Sequence, residues 1–125
     1  MSSAAAAGNP WANPYLIQSA TIVEKIREAE DIDTYRLRFV DEQVRRSYRF
    51  AAGQFNMVYL FGVGEVAISI VSDPDEPESL DHTIRVVGRV TKAIADLKPG
   101  DVLGIRGPFP ERSSAQARGT LHEGF

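Results

Sequence analysis

The sequence predicts an all-β fold, a six-stranded antiparallel Greek-key barrel with one short helix. Three observations support it: six short apolar runs, turns marked by glycine, proline or acidic residues, and one run with helical spacing. The chain has 125 residues, 43% hydrophobic and 25% charged, which is ordinary for one globular domain. We expect a flexible lead over residues 1–14, the barrel over 15–109 and an irregular tail over 110–125.

Each predicted strand is a short run of β-branched and other apolar residues between turn signals. The second strand is the clearest, because Tyr35, Leu37 and Phe39 alternate with polar residues and predict one buried face. The six predicted strands cover residues 20–28, 34–39, 55–60, 66–72, 82–87 and 102–106.

The connections between these strands are expected to be irregular, with one exception. Residues 41–48 predict a charged connection, and residues 73–81 predict an acidic loop. The run 90–97 carries apolar residues at helical spacing and predicts a short amphipathic helix, which ends at the turn formed by Pro99 and Gly100.

The composition excludes several classes of function. The chain has 14 basic and 17 acidic residues, a net charge of −3, which argues against nucleic-acid binding because that requires a basic surface. It has no cysteine, so it holds no Cys-ligated cluster, disulfide or thiol nucleophile. The sequence also predicts no metal site, no catalytic side chain, no secretory signal and no membrane-spanning helix. We therefore expect a cytoplasmic protein without a membrane partner.

The most informative motif is the junction at Gly88, where a predicted strand turns directly into the predicted helix. Such a junction presents backbone N–H groups and the positive end of a helix dipole, the arrangement that binds phosphate groups. Gly88 permits a close backbone approach, Arg89 adds charge, and Thr91 can cap the helix or offer its hydroxyl to a phosphate. An ordinary strand-to-helix turn uses glycine and threonine in the same way, so the residues alone leave both interpretations open.

Ser69 is the second candidate for ligand binding, because it is a polar side chain within the apolar run 66–71. Alternation on an exposed face is one explanation. In the other, the hydroxyl forms a hydrogen bond with a bound ring system, and Ile68 and Ile70 supply apolar contact. The residues alone do not decide between the two.

Taken in order, these motifs resemble the FAD-binding barrel of the ferredoxin–NADP reductase superfamily, over about residues 13–109. The resemblance is carried by Gly53-Gln54-Phe55, Ile68-Ser69-Ile70, Gly88-Arg89-Val90-Thr91 and Gly107-Pro108-Phe109. Within the superfamily, Asn13-Pro14-Tyr15 and Gly62-Val63-Gly64-Glu65 are similar to the diaphorase-type gamma subunits of cytoplasmic nickel–iron hydrogenases and sulfhydrogenases. A subunit of anaerobic sulfite reductase and the electron-transfer subunit of dihydroorotate dehydrogenase are relatives.

The resemblance implies an FAD cofactor bound across the barrel. The implied contacts are Ile68, Ser69 and Ile70 for the isoalloxazine and ribityl chain, and Gly88, Arg89, Val90 and Thr91 for the pyrophosphate. In the family, electrons pass from NAD(P)H through the flavin to iron–sulfur centres. Other oxidoreductase or hydrogenase subunits are therefore the expected partners.

Two departures from the family pattern modify these expectations. The superfamily's Arg-x-Tyr-Ser is Val66-Ala67-Ile68-Ser69 here, so we expect weaker FAD binding, with Arg85 or Arg89 as a replacement for the missing positive charge. Pro110 stands where the family has a glycine before its nucleotide-binding domain, and the sequence ends at Phe125. We expect an incomplete subunit that uses NAD(P)H only if that domain is supplied elsewhere.

Two other classes of function are considered beside FAD binding. A flavin-free structural or subunit-docking module is consistent with the missing arginine, tyrosine and second domain. A nucleic-acid-binding barrel fits the predicted fold but not the acidic charge balance.

Overall fold

The computed structural model describes residues 15–110, so the predictions for 1–14 and 111–125 lie outside the described residues. The strands are β1 Gln18–Ala29, β2 Ile32–Phe39, β3 Phe55–Leu60, β4 Gly64–Ser69, β5 Leu80–Arg85 and β6 Val102–Phe109. The helices are α1 Glu42–Ser47 and α2 Arg89–Ala95.

The strands form one six-stranded sheet in the order β4–β3–β6–β1–β2–β5, and all neighbouring pairs are antiparallel. The predicted six-stranded antiparallel architecture is therefore confirmed. The strands at the two ends of this order, β4 and β5, share no ladder within the described residues. Just beyond β4, an isolated bridge joins Ile70 to His82 of β5. The barrel thus has a seam between β4 and β5, which is joined at one point.

The barrel interior is a single apolar core. The alternation predicted for β2 is confirmed, because Tyr35, Leu37 and Phe39 are all buried. Fully burying a side chain of this size contributes about 1.5–3 kcal/mol relative to leaving it exposed. The core consists of Ala20, Ile22, Tyr35, Leu37, Phe39, Val44, Tyr48, Phe50, Val58, Ile70, Leu80, Ile84, Ile94, Leu103 and Ile105.

Helix α1 corrects the prediction of a charged connection over residues 41–48. Asp41 caps the helix, because its Oδ1 accepts hydrogen bonds from the backbone N–H groups of Gln43 at 2.8 Å and Val44 at 3.2 Å. Val44 is the buried residue of this helix. A six-residue helix with one buried side chain has too short an apolar pattern for periodicity to reveal it.

A buried polar network links Tyr48, the residue that follows α1, to β3 and β5. Asn56 lies between the Tyr48 hydroxyl, 3.0 Å from its Nδ2, and His82 Nε2, 3.2 Å from the same atom. Among the described residues, His82 Nδ1 has no hydrogen-bond partner. Burial lowers the pKa of His82 to about 4, because desolvation disfavours the charged imidazolium.

Asp41→Ala should lower the free energy of unfolding by about 1 kcal/mol, because two backbone N–H groups at the start of α1 lose their acceptor. Urea unfolding monitored by circular dichroism measures the change. Glu78→Ala is the control: this exposed acidic residue has no ion pair within residues 15–110, and its replacement should change stability by less than about 0.5 kcal/mol. Equal free energies of unfolding for the two variants would contradict a capping role for Asp41.

The stability contribution of neutral His82 should be complete above about pH 6.5 and fall as the pH approaches 4. The reason is that the unfolded chain takes up a proton near the ordinary pKa of 6.5, whereas the folded chain does so only near 4. His82→Gln should remove this dependence, on the order of 2–3 kcal/mol between pH 7 and pH 4.5. Urea unfolding of both proteins across this range is the measurement, and parallel pH profiles would show that His82 does not titrate in this way.

Candidate functional site

The β4–β5 seam is the open side of the barrel. β4 is an end strand of the sheet, and none of its residues is fully buried. At one end of the seam lies the Ile70–His82 bridge. At the other end, the chain leaves β5 and enters α2 through Gly88. A molecule lying along the seam would therefore meet the free edge of β4 and the first turn of α2.

The first turn of α2 packs on the turn that connects β3 to β4. Arg89 Nη2 donates a hydrogen bond to the carbonyl oxygen of Val63 at 2.8 Å. A Cβ atom added to Gly64 would lie 3.1 Å from Val90 Cγ2, and the φ of Gly64 is +150°, a conformation that other residues rarely adopt. These contacts hold the start of α2 beside the start of β4, a placement that sequence spacing does not reveal.

Neither the backbone conformation nor the packing at position 88 requires a glycine. Its φ of −168° is extended backbone that any residue adopts, and an added Cβ would meet nothing within 4 Å. The glycine therefore leaves open space directly in front of the backbone where the helix begins. Such space allows a ligand to approach the backbone closely, as the sequence predicts for a phosphate group.

The backbone at this point has hydrogen-bonding capacity to spare. The first hydrogen bond of α2 runs from the Lys92 N–H to the Gly88 carbonyl at 2.9 Å. The N–H groups of Arg89, Val90 and Thr91 precede it and have no acceptor within the helix. The structure thus brings the four predicted pyrophosphate residues together in one turn.

Thr91 takes one of the two roles predicted for it. Its hydroxyl accepts hydrogen bonds from the N–H groups of Val87 at 2.8 Å and Gly88 at 3.0 Å, and donates one to the Gly88 carbonyl at 3.2 Å. The residue is only 3% exposed. Thr91 therefore shapes the turn, and in this conformation its hydroxyl is committed to the backbone.

The stretch of sequence that contains the turn carries only basic charges. Between Asp81 and Asp96, the sequence holds Arg85, Arg89 and Lys92 and no acidic residue, although the chain as a whole is acidic. Within residues 15–110, no carboxylate forms an ion pair with Arg89. A cation in the first turn of a helix is disfavoured by the helix dipole. An anion bound here would interact favourably with both the guanidinium and the dipole.

The three candidates near β4 differ in what they present to the seam. Ser69 is exposed, and its hydroxyl has no hydrogen-bond partner among the described residues. Ile68 is half-buried and packs against the core together with Val66. Ile70 is 6% exposed and belongs to the core, so its side chain offers little surface to a ligand.

An aromatic row extends from Ser69 across the outside of the sheet. Phe55 pairs with Ser69 in the β3–β4 ladder and with Phe109 in the β3–β6 ladder. The ring centroids of Phe55 and Phe109 are 5.4 Å apart, and those of Phe109 and Tyr15 are 5.8 Å apart. The sequence motifs contain these three rings, but only the register places them in one row.

Two further features bear on the sequence predictions. Among the described residues, no group of three or more His, Asp, Glu or Cys side chains could hold a metal ion. In the same part of the chain, none of the helices has the length and apolar character needed to cross a bilayer.

Comparison with known proteins identifies the family. The family model of the oxidoreductase FAD-binding domain matches residues 19–112. The chain belongs to this family. The FAD cofactor expected from the sequence is thereby confirmed. The residues present fit it, because Gly88 leaves open space in front of the 88–91 turn, which we call the cradle, and Arg89 places beside it the positive charge that a pyrophosphate requires.

The relatives of this FAD-binding domain include subunits of larger oxidoreductases. It is 37% identical over 97 residues to the sulfhydrogenase 2 subunit gamma of Pyrococcus furiosus, covering 78% of this chain and 33% of that protein. It is 41% identical over 93 residues to a probable dihydroorotate dehydrogenase B (NAD(+)) electron transfer subunit of Methanocella arvoryzae, covering 73% and 31%. The chain spans about a third of the length of the curated relatives it matches.

Solved structures show the same barrel. An NADH-dependent reduced ferredoxin-NADP oxidoreductase, studied for flavin-based electron bifurcation, matches with a TM-score of 0.58 and 26% identity, covering 74% of this chain and 33% of that one. The ferredoxin NADP+ reductase of Neisseria gonorrhoeae with bound FAD and NADP matches with a TM-score of 0.60 and 20% identity, covering 72% and 36%. The ferredoxin reductase-type fold inferred from the motifs is confirmed.

Gly88→Ala should leave the free energy of unfolding unchanged or slightly raised, because alanine fits the extended backbone and the open space. Gly64→Ala is the matched comparison and should cost on the order of 1–3 kcal/mol, because its φ is positive and Val90 stands close to the new methyl group. Urea unfolding of both variants is the measurement. A Gly88→Ala protein as unstable as the Gly64→Ala protein would contradict the open cradle.

Proposed function

We propose that this chain binds FAD along the β4–β5 seam and forms the flavin-binding part, residues 15–109, of an electron-transfer oxidoreductase subunit. The observation that carries the proposal is the cradle at Gly88, where open space, first-turn N–H groups and a guanidinium without a carboxylate partner among the described residues coincide. These features match the chemistry of a pyrophosphate, which brings two negative charges and several hydrogen-bond acceptors.

Each candidate residue has a distinct part in the proposed site. The N–H groups of the 88–91 turn would hold the pyrophosphate, while the Arg89 guanidinium neutralises its charge. Arg89 can keep its hydrogen bond to Val63, because a guanidinium carries five N–H donors in all. The buried Thr91 hydroxyl stabilises the turn by accepting hydrogen bonds from the Val87 and Gly88 N–H groups.

The ring-binding end of the site would lie at Ser69. Its exposed hydroxyl is free to form a hydrogen bond with the isoalloxazine, and the exposed part of Ile68 would give apolar contact. Ile70 supports both from the core. When bound, FAD supplies hydride chemistry with nicotinamides and electron transfer to partners. The protein residues orient the ring and limit its contact with water.

Weaker binding than is usual for the superfamily remains our expectation. Val66 and Ile68, which replace the superfamily's arginine and tyrosine, both pack against the core. Loss of an aromatic stacking partner costs about 0.5–1.5 kcal/mol beyond the buried area. Arg89 lies in the first turn of α2 and is the better placed substitute for the missing charge, whereas Arg85 lies at the end of β5.

Further parts of the proposal concern the whole protein. Relatives named as subunits of sulfhydrogenase and dihydroorotate dehydrogenase support other oxidoreductase subunits as partners. Electron transfer to an iron–sulfur or hydrogenase partner, use of NAD(P)H and a cytoplasmic location remain predictions. The alternative drawn from the missing arginine and tyrosine is a flavin-free docking module, and membership of the FAD-binding family argues against it.

Adding FAD to the purified chain should produce the visible absorption bands of bound flavin. Gly88→Ala should raise the FAD dissociation constant by about tenfold, because the new methyl group occupies the cradle without disturbing the fold. Arg89→Gln should raise it by roughly tenfold, because a charge-assisted hydrogen bond to the pyrophosphate is lost. Equilibrium titration followed by absorbance measures each constant.

The control for the loss of positive charge is Arg38→Gln, an exposed arginine on β2 for which no ion pair occurs within the described range. It should bind FAD like the parent chain. A folded parent chain that takes up no FAD would overturn the proposal in favour of the docking module. Normal FAD binding by both Gly88→Ala and Arg89→Gln would place the cofactor elsewhere.

A further inference from the structure

The carboxyl-terminal end of α2 is held by side chains from β1 and β2. Lys25 Nζ donates hydrogen bonds to the carbonyl oxygens of Ala95 at 2.7 Å and Leu97 at 2.8 Å. The Tyr35 hydroxyl donates to the Ile94 carbonyl at 3.4 Å. Carbonyl groups at the end of a helix lack partners within it, and Lys25 supplies donors to Ala95, the last residue of α2, and to Leu97 just beyond it. The Ile94 carbonyl also accepts a hydrogen bond from the Leu97 N–H at 2.9 Å, so the Tyr35 hydroxyl is its additional donor. We refer to Lys25 and Tyr35 together as the clasp.

A bulge in β1 directs Lys25 toward α2. The β1–β2 register passes from Ile22 to Glu24 and leaves Val23 without an opposite residue. A one-residue shift of this kind exchanges the inward and outward faces of a strand. Ile22 faces the core before the bulge, and Lys25 lies opposite the buried Tyr35 after it. Regular alternation from Ile22 would have placed Lys25 on the outer surface.

The clasp is also electrostatically suited to its position. The carboxyl-terminal end of a helix carries a partial negative charge, which the Lys25 ammonium group meets directly. The same ammonium lies 5.6 Å from the centroid of the Tyr35 ring. Burial raises the pKa of Tyr35 to about 12, so its hydroxyl remains a donor at neutral pH.

The clasp acts on the short helix whose other end begins the candidate site. α2 has seven residues, and its first turn contacts the β3–β4 turn through Arg89 and Val90. The helix is thus attached at both ends, to the start of β4 and to the β1–β2 pair. Loss of the Lys25 hydrogen bonds would remove one of these two attachments and leave the buried side chains Thr91 and Ile94 to hold the helix from that side.

We propose that Lys25 is a positioning residue for the FAD pyrophosphate, acting through α2 from the end opposite the cofactor. This inference rests on the proposed function, because it assumes that the 88–91 turn holds the pyrophosphate. Lys25 does not touch the cofactor. It fixes the direction of α2 and neutralises the negative end of the helix dipole, and both effects favour an anion at the first turn.

The test compares Lys25→Met with the parent protein. Methionine keeps an unbranched side chain of similar length but has no hydrogen-bond donor. The FAD dissociation constant of Lys25→Met should rise by about fivefold at a temperature where both proteins are fully folded. Lys25→Arg should restore at least half of the loss on the logarithmic scale, because a guanidinium can also donate to two carbonyl groups. Lys98→Met is the charge-matched control, since Lys98 is largely exposed and pairs only with nearby Asp101 among the described residues. It should bind FAD like the parent.

A second measurement separates positioning from general stability. Asp41→Ala destabilises the barrel at a site remote in sequence from α2, and it should leave the FAD dissociation constant unchanged. Amide hydrogen exchange of Lys25→Met should be faster in α2 than in the parent, before FAD is added. If Lys25→Met does not fold, Tyr35→Phe removes only the hydroxyl of the clasp and should raise the dissociation constant by about twofold.

The outcomes distinguish this inference from the proposed function. An unchanged FAD dissociation constant in Lys25→Met, or the same increase in Lys98→Met or Asp41→Ala, would overturn the positioning role. If Lys25→Met does not fold, an unchanged constant in Tyr35→Phe would overturn it. Failure of Lys25→Arg to restore affinity would also contradict it. A parent chain that binds no FAD would overturn the proposed function and, with it, the role of Lys25 toward the pyrophosphate.

Discussion

The constraint on which the site depends is the incomplete closure of the barrel between β4 and β5. The described residues join this side of the sheet through the isolated bridge between Ile70 and His82, and no ladder continues from it along β4. An uncovered strand edge presents backbone N–H and C=O groups that have no hydrogen-bond partner in the sheet. The uncovered edge of β4 runs from this bridge to the first turn of α2. FAD bound along the seam would cover the edge.

Placement of α2 follows from contacts at both of its ends. Arg89 and Val90 contact the β3–β4 turn at the start, and Lys25 bonds to the last carbonyl groups. The turn at Gly88 is therefore held by the protein's own packing and hydrogen bonds, which lowers the entropy cost of ligand binding. This preorganisation offers compensation for the missing family arginine and tyrosine, whose positions are occupied by Val66 and Ile68 packed against the core.

Features with strong local signals could be predicted from the sequence. The alternation around Tyr35 and the glycine at the Gly88 junction identified the strand and the turn that the structure shows. The family resemblance supplied FAD. The helix after Asp41 was missed because its apolar pattern consists of one buried residue. The role of Lys25 was hidden because a bulge changes which side of β1 faces inward, and register is a property of two strands. Ile70, expected to contact the ligand, is instead buried in the core beside the bridge to β5, a position set by tertiary packing.

Amide hydrogen exchange of the parent chain with and without saturating FAD tests most directly whether the cofactor lies along the seam. FAD should slow exchange in two separate segments, β4 over residues 64–69 and the turn over residues 88–91, and should leave α1 unchanged. Protection confined to other strands, or spread uniformly over the barrel, would contradict a cofactor bound along the seam.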